Sequence, residues 1–183
     1  QNEINNCFFS AVDVQIFARI SIVGYGCYDI SSFMCHAIQG TAPTVPGIVF
    51  ADPNLKASLL ATQPGDYRAL NFCFGTIGGS VSIDENGDGE IQPEEAEAIY
   101  YLRIEDANIT SLAGLEAFKY LQVLNCNYNQ LTTIDLSVFP MLTDFTCSNN
   151  NLTQLDLSQN HWLYTLSCAD NNLNHINIKN GRS

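Results

Sequence analysis

Three stretches of the chain repeat at a fixed period of 21 residues: LQVLNCNYNQLTTIDLSVFPM from Leu121, LTDFTCSNNNLTQLDLSQNHW from Leu142 and LYTLSCADNNLNHINIKNGRS from Leu163. The register does not slip. Leu121, Leu142 and Leu163 share a column, as do Leu124, Phe145 and Leu166, then Cys126, Cys147 and Cys168, then Asn129, Asn150 and Asn171, then Leu131, Leu152 and Leu173. A unit this short cannot bury its apolar face alone, so successive units must stack and share one continuous core. The chain is a pile of coils, not a globule around one centre.

The columns have physical meanings. Leu124 and Cys126 are two apart, so on a short strand they point to one side. That side is the interior, where Cys serves as a small, soft hydrophobe. The Asn column follows where the chain turns out of the strand, and its amide can bond backbone groups that the turn leaves unpaired. A second apolar set, Ile134/Leu136, Leu155/Leu157 and Ile176/Ile178, closes the far side of each coil. The reading L-x-x-L-x-C-x-x-N-x-L at a period within about 20–29 residues is that of a leucine-rich-repeat solenoid. An earlier, 22-residue coil aligns Ile99 with Leu121, Leu102 with Leu124 and Ile104 with Cys126. Its return segment, SLAGLEAFKY, is longer and predicts a helical turn on the convex side. The coils run at 99–120, 121–141, 142–162 and 163–183. The last has a neighbour on one side only, so the expectation is continuation into further repeats or self-association through the C-terminal edge.

Directly before the solenoid stands Asp84-Glu85-Asn86-Gly87-Asp88-Gly89-Glu90-Ile91-Gln92-Pro93-Glu94-Glu95, which matches D-x-[DN]-x-[DN]-G-x5-E. Ca2+ takes about six to eight oxygens, and the spacing supplies them. Asp84, Asn86 and Asp88 offer side-chain oxygens, Gly89 permits the sharp turn, and the Glu90 carbonyl and Gln92 follow. Glu95 then closes the shell with both carboxylate oxygens. The expectation is one structural Ca2+. PEEAEAIYYL from Pro93 reads as a helix leaving the loop, with acids in its first turn. On the other side, Asp52 as N-cap and Pro53 at N1 open a helix to Ala61. Residues 62–83, with turn signals at Pro64-Gly65 and Gly78-Gly79, separate that helix from the loop. The cap therefore spans 48–98, with its calcium loop at 84–95.

Of seven cysteines, three form the ladder, with no C-x-x-C pair and no His at ligand spacing, so they read as packed thiols. Cys7, Cys27, Cys35 and Cys73 are irregularly spaced, and sequence does not choose among their three pairings. Residues 1–47 form a β-rich segment or extended cap. Val12 to Val23 alternates as a strand, and Asp13 and Arg19 break any membrane-spanning reading. Formal charge is −12, from 19 acids against 7 bases, which disfavours nucleic acid. Nine of the acids fall between residues 84 and 106. No H-E-x-x-H, G-x-S-x-G, P-loop or dinucleotide fingerprint occurs, and His36, His161 and His175 share no motif, so the chain reads as non-enzymatic.

FADPNLKASLLA, DENGDGEIQPEEAEAI, ITSLAGLEAFKYLQVLNC and the repeats with LTxLDLS together resemble the cap and first coils of secreted bacterial leucine-rich-repeat proteins. The cysteine in the strand resembles the cysteine-ladder subgroup of the internalins. The resemblance covers the chain from about Ile48. It implies an α+β, right-handed curved solenoid with a calcium-stabilised, EF-hand-like cap, secreted or on the bacterial cell surface, with a role in adhesion or recognition. The strand face would then meet a protein or carbohydrate ligand. Its outward positions are Gln122, Val123, Asn125, Asn127 and Tyr128, then Thr143, Asp144, Thr146, Ser148 and Asn149, then Tyr164, Thr165, Ser167, Ala169 and Asp170. The alternatives are a spacer, or an accessory region of a longer secreted, glycan-active enzyme.

Overall fold

A computed structural model describes residues 46–73 and 76–179, without the side chains of residues 72–78. The readings made for residues 1–45 and for the thiols of Cys7, Cys27, Cys35 and Cys73 lie outside the described residues. From Pro53 the elements are α1 (Pro53–Leu60), β1 (Ala69–Cys73), β2 (Thr76–Ser80), α2 (Pro93–Glu97), β3 (Ile99–Arg103), β4 (Val123–Asn125), β5 (Asp144–Thr146), β6 (Gln154–Asp156), β7 (Thr165–Ser167) and β8 (His175–Asn177). Two single 3-10 turns, Leu115–Ala117 and Leu136–Val138, lie on the return segments.

The first coil supplies five-residue β3 and each of the next three supplies one three-residue strand to the sheet, because only the L-x-x-[LF]-x-C portion alternates. Leu124 is buried between half-exposed Val123 and Asn125, and Phe145 between Asp144 and Thr146. The strands pair in parallel and in the register that the repeat predicts: Leu102 beside Leu124, Leu124 beside Phe145, Phe145 beside Leu166. The six-stranded sheet runs β2-β1-β3-β4-β5-β7, and β6 pairs with β8 in a second, two-stranded sheet.

The asparagine column bolts the coils together. Asn150 Nδ2 donates to Cys126 O of the preceding coil at 3.0 Å and to Cys147 O of its own at 3.1 Å. Its Oδ1 accepts Leu131 N at 3.0 Å. Asn171 repeats this on Cys147 O, Cys168 O and Leu152 N, and Asn129 on Ile104 O, Cys126 O and Ile109 N. One short amide thus satisfies three backbone groups that the strand exit leaves unpaired. On the convex side Phe118 and Phe139 are buried at equivalent positions, and the third place is Asn160. Asn160 is fully buried, with Nδ2 on Leu136 O at 2.9 Å and Phe139 O at 3.0 Å.

The cap differs from expectation in two places. PEEAEAIYYL does not continue as a helix: α2 ends at Glu97 and IYYLR is β3. Ile99 and Leu102 must face the interior in register with the next coil, and that burial overrides local helix propensity. Gly78 and Gly79 are no turn; they lie inside β2, whose hairpin with β1 fills the interval between α1 and the acidic loop. β1 lies antiparallel on β3, with Ala69 beside Leu102 and Leu70 beside Tyr101, so the hairpin covers the first coil's strand edge.

α1 is tied to the solenoid through its own N-cap. The Asp52 carboxylate accepts Asn54 N at 2.8 Å, Thr110 N at 2.6 Å, Thr110 Oγ1 at 2.7 Å and Ser111 N at 3.3 Å. Burial alone would raise this carboxyl, but the bonds from Thr110, Asn54 and Ser111 outweigh it and lower the pKa from 3.8 to about 2. Gly114, at φ 107°, sits where a Cβ would come within 2.6 Å of Phe50 Cδ1, so the segment leading into α1 packs directly on coil backbone.

A depressed carboxyl contributes stability that is present above its unfolded pKa and lost as pH falls through its folded pKa. Asp52→Ala is expected to destabilise at neutral pH, and urea titrations should show about 2 kcal/mol of the gap from the parent closing between pH 5 and pH 2. A gap that does not change with pH would mean that the carboxylate charge is not what holds α1 to Thr110.

Candidate functional site

The acidic loop is folded around Asp84. Its Oδ1 accepts Gly87 N at 2.8 Å and Asp88 N at 3.2 Å, and its Oδ2 accepts Gly89 N at 3.0 Å. Gly87 and Gly89 are left-handed, at φ 72° and 83°, which lets the backbone wrap this tightly. Ile91 is fully buried and its carbonyl accepts Ile48 N at 2.7 Å, so the loop is anchored under the cap. Glu95 reaches back: Oε1 accepts Glu85 N at 2.9 Å and Oε2 accepts Gln92 N at 2.9 Å. Burial pushes the Glu95 carboxyl up against the pull of these amides, and nearby Asp84 adds to the rise.

Five of the six predicted ligand residues are thereby brought together. Asn86 Nδ2 lies 3.2 Å from Asp88 Oδ2 and 3.0 Å from Gln92 Oε1, and Gln92 Nε2 lies 2.9 Å from the same Asp88 oxygen. The side chain of Glu90, expected to contribute only its carbonyl, turns away to Lys56 Nζ at 2.7 Å. Among the described residues no three His, Cys, Asp or Glu side chains cluster closely enough to hold a metal by themselves. The donor set is all oxygen and draws on the amides of Asn86 and Gln92 as well, which suits a hard cation rather than a soft one.

The strand face divides into positions with a structural task and positions without one. Arg103 pairs with Glu105, and the bond from Arg103 holds the Glu105 carboxyl below its usual range. Asn125 Nδ2 donates to Glu105 Oε2 at 2.9 Å while its Oδ1 accepts Asn127 N at 3.0 Å. Asn127 Oδ1 accepts Ser148 N at 2.7 Å. Ser148 was expected to point outward but is buried: its Oγ meets Ser167 Oγ at 2.9 Å and accepts Ala169 N at 3.1 Å. Thr146 is half-buried, with a fully covered Oγ1 that has no partner, and Asp144 accepts Thr143 Oγ1 at 2.7 Å. Tyr128, Asn149 and Asp170 are all left-handed, at φ 56°, 59° and 53°, and Asp106 precedes them in the same column at 52°. Asn and Asp adopt that conformation at lower cost than Tyr, so Asn149 and Asp170 suit the turn itself.

Exposed aromatics are what this network leaves over. Tyr164 is 87% exposed, Trp162 63% and Tyr128 60%. Trp162 belongs to a column that the sequence reading passed over: Tyr120, Met141 and Trp162 each stand one residue before the first leucine of a coil, and all three are exposed. Their 21-residue spacing was visible in the sequence, but variable large side chains at a rim position do not resemble a core column. Together with Tyr164 they make an apolar ridge along the start of the strands.

The cysteine ladder is free thiol throughout. Burial, and then the neighbouring Cys147, push the Cys126 thiol far above its ordinary value, and Cys126 Sγ donates to Thr146 O at 3.4 Å. Burial and Cys168 push Cys147 up to about 12. Cys168, on the last coil, is only half-buried.

No protein-family model and no curated protein matches the chain. Among solved structures it is similar to the functional domain of InlJ from Listeria monocytogenes, which includes a cysteine ladder, at 25% identity and a TM-score of 0.50. The match covers 72% of this chain and 27% of that one, so the chain spans about a quarter of the other's length. The fold is thus that of internalin-type, cysteine-ladder leucine-rich repeats. Among the described residues no helix is long and apolar enough to cross a membrane.

Thiolate, not thiol, is the reactive species. Among the three ladder thiols, native labelling with iodoacetamide followed by peptide mapping is expected to modify Cys168 first and to leave Cys126 and Cys147 unmodified until the protein unfolds. Early modification of Cys126 would overturn its assignment as a packed core residue.

Proposed function

We propose that this chain is an extracellular recognition module that binds a protein or glycan partner through the aromatic ridge and adjoining strand face, and that it does so without catalysis. The observation that carries the reading is the set of large exposed apolar side chains, Tyr164, Trp162, Met141 and Tyr120, beside a polar sheet whose own side chains are largely bonded to one another. Contiguous exposed apolar surface with a polar surround marks interaction sites, and aromatic anchors dominate binding energy. Similarity to a cysteine-ladder domain of a Listeria protein supports a surface or secreted setting. Tyr164→Ala and Trp162→Ala are expected to leave the melting temperature near that of the parent and to abolish retention on protein and glycan arrays. If both variants bind as the parent does, the ridge is not the site.

The same reading includes a structural Ca2+ held by Asp84, Asn86, Asp88, the Glu90 carbonyl, Gln92 and Glu95. What supports it is the gathering of the Asn86, Asp88 and Gln92 side chains on one loop anchored by buried Ile91, and the crowding of acids between residues 84 and 106, whose repulsion a divalent cation would relieve. Binding that favours the folded state stabilises by RT ln(1 + [L]/Kd), about 2.7 kcal/mol at a hundredfold excess over Kd. Melting in calcium should therefore exceed melting in chelator, and Asp84→Ala should erase the difference. Equal melting temperatures together with no heat of binding in calorimetry would remove calcium from the account.

A further inference from the structure

Where the cap meets the first coil, an open cleft of about 380 Å³ is lined by Ser58, Asp66, Arg68, Arg103, Glu105 and Asp106. The pairing of β1 with β3 builds it. Ala69 and Leu102 lie opposite each other with both side chains buried, and Arg103 N donates to Arg68 O at 2.7 Å, so the two arginines are neighbours just past that interior pair. α1 brings Ser58, and the turn leaving β3 brings Glu105 and Asp106. The aromatic ridge lies at the other end of the strands, before β4, β5 and β7 begin, so the cleft is a separate place.

Its charged groups are only partly engaged. Arg68 Nε donates to Asp66 Oδ2 at 2.8 Å and its Nη2 to Ala61 O, while Arg103 Nη2 donates to Glu105 Oε1. Among the described residues Arg68 Nη1, and Arg103 Nε and Nη1, have no partner, and the Asp106 carboxylate has none either. Unused guanidinium donors and an unused carboxylate acceptor thus share one cleft. Asp66, Glu105 and Asp106 against Arg68 and Arg103 leave one net negative charge. An anion would face the uncompensated Asp106, and a cation would face two guanidiniums. A neutral group that both donates and accepts is opposed by neither, and a hydroxyl is such a group.

Two tyrosines flank the cleft. Tyr67 stands between Asp66 and Arg68 in the chain, and Tyr128 follows Asp106 one coil on in the same left-handed column. They are held at φ 57° and 56° and are 67% and 60% exposed. Backbone strain at bulky residues persists where a binding site gains from it. A tyrosine ring offers an apolar face and a polar tip, which matches a sugar ring with its C–H face and its rim of hydroxyls.

We infer that this cleft is a binding subsite for a neutral oligosaccharide. Asp106 accepts from the hydroxyls of one sugar, Arg68 and Arg103 donate to them, and the flanking tyrosines stack on the ring faces.

The test is an NMR titration of the whole, nitrogen-15-labelled chain with neutral tetrasaccharides of glucose, mannose, galactose or N-acetylglucosamine, each added singly at millimolar concentration. At least one is expected to shift the Arg103 side-chain Nε–H and the amides of Arg68, Asp106 and Tyr128. Asp106→Asn suits the same left-handed backbone and should melt with the parent. It should bind about tenfold more weakly, because a neutral acceptor replaces a charged one. Trp162→Ala, which alters the ridge, should bind these sugars as the parent does, so the subsite and the ridge stand or fall separately. The inference is overturned if no neutral tetrasaccharide shifts these signals, or if Asp106→Asn binds as tightly as the parent. Tighter binding of a glucuronic acid oligosaccharide, or of glycylglycine, than of every neutral sugar would overturn it as well.

Discussion

The amide of one asparagine per coil is the interaction on which the stack depends. A chain leaving a buried three-residue strand turns at once, and the turn strands carbonyls and amides in a dry interior, where each unpaired group costs about 1–3 kcal/mol. Asn150 answers for Cys126 O, Cys147 O and Leu131 N together, and two of those belong to the preceding coil. Coil closure and coil stacking are therefore one interaction rather than two. The first coil shows the rule by departing from it. Ala107 stands at its asparagine position, and what lies on that side is the antiparallel hairpin, which offers no parallel strand exit to bridge.

Because side chains and backbone are satisfied by the same device, the repeat was legible in the sequence. A register error of one residue would have moved Leu124, Phe145 and Leu166 from interior to surface, so the columns fixed the pairing that the sheet adopts. The cap was less legible because nothing in it repeats. The hairpin of β1 and β2 contains Gly78 and Gly79, which locally signal a turn but lie in β2, paired with the strand β1 that covers the first coil's edge. Asn160 was missed for a related reason: it stands in a phenylalanine column, and its burial depends on the carbonyls of Leu136 and Phe139 in another coil. Ser148 alternates as an outward residue, yet the strand has ended at Thr146 and alternation no longer says where it points.

The face available for recognition is smaller than alternation suggests. Asn125, Asn127, Ser148 and Ser167 are joined to one another, and Asn149 and Asp170 occupy left-handed positions for which their residue types are suited. Tyr128 is the exception in that column. A bulky residue held at φ 56° carries backbone strain of about 1–3 kcal/mol, where Asn or Asp would carry less, and its ring is mostly in solvent. Tyr128 therefore gives the fold little in return for its strain, and it stands with Trp162 and Tyr164 as a side chain whose surroundings do not explain it. Exposed polar residues on this sheet are mainly scaffold; exposed aromatic ones are not.

Electrostatics sets the remaining constraint, and it falls on the junction between cap and solenoid. Among the described residues Lys56 meets Glu90, Lys119 meets Glu97 and Arg103 meets Glu105, so three of the nine acids between residues 84 and 106 have a cationic partner there. These pairs are partly or largely exposed, and such pairs contribute at most about 1 kcal/mol each. They cannot offset a carboxylate cluster on a loop whose backbone is already bent around Asp84. The loop tolerates its own charge because amides face it: Gly87, Asp88 and Gly89 turn their N–H groups to Asp84, and Glu85 and Gln92 turn theirs to Glu95. Oriented backbone dipoles of this kind stabilise anions, though as fractional charges at fixed positions. A divalent cation would supply the missing full charges beside Asp88 and Gln92, whose side-chain oxygens are met here by the amides of Asn86 and Gln92. That would rigidify the loop which anchors α1 through Lys56 and α2 through the Glu95 capping box. The cap, and through Asp52 the first coil, would then stiffen together.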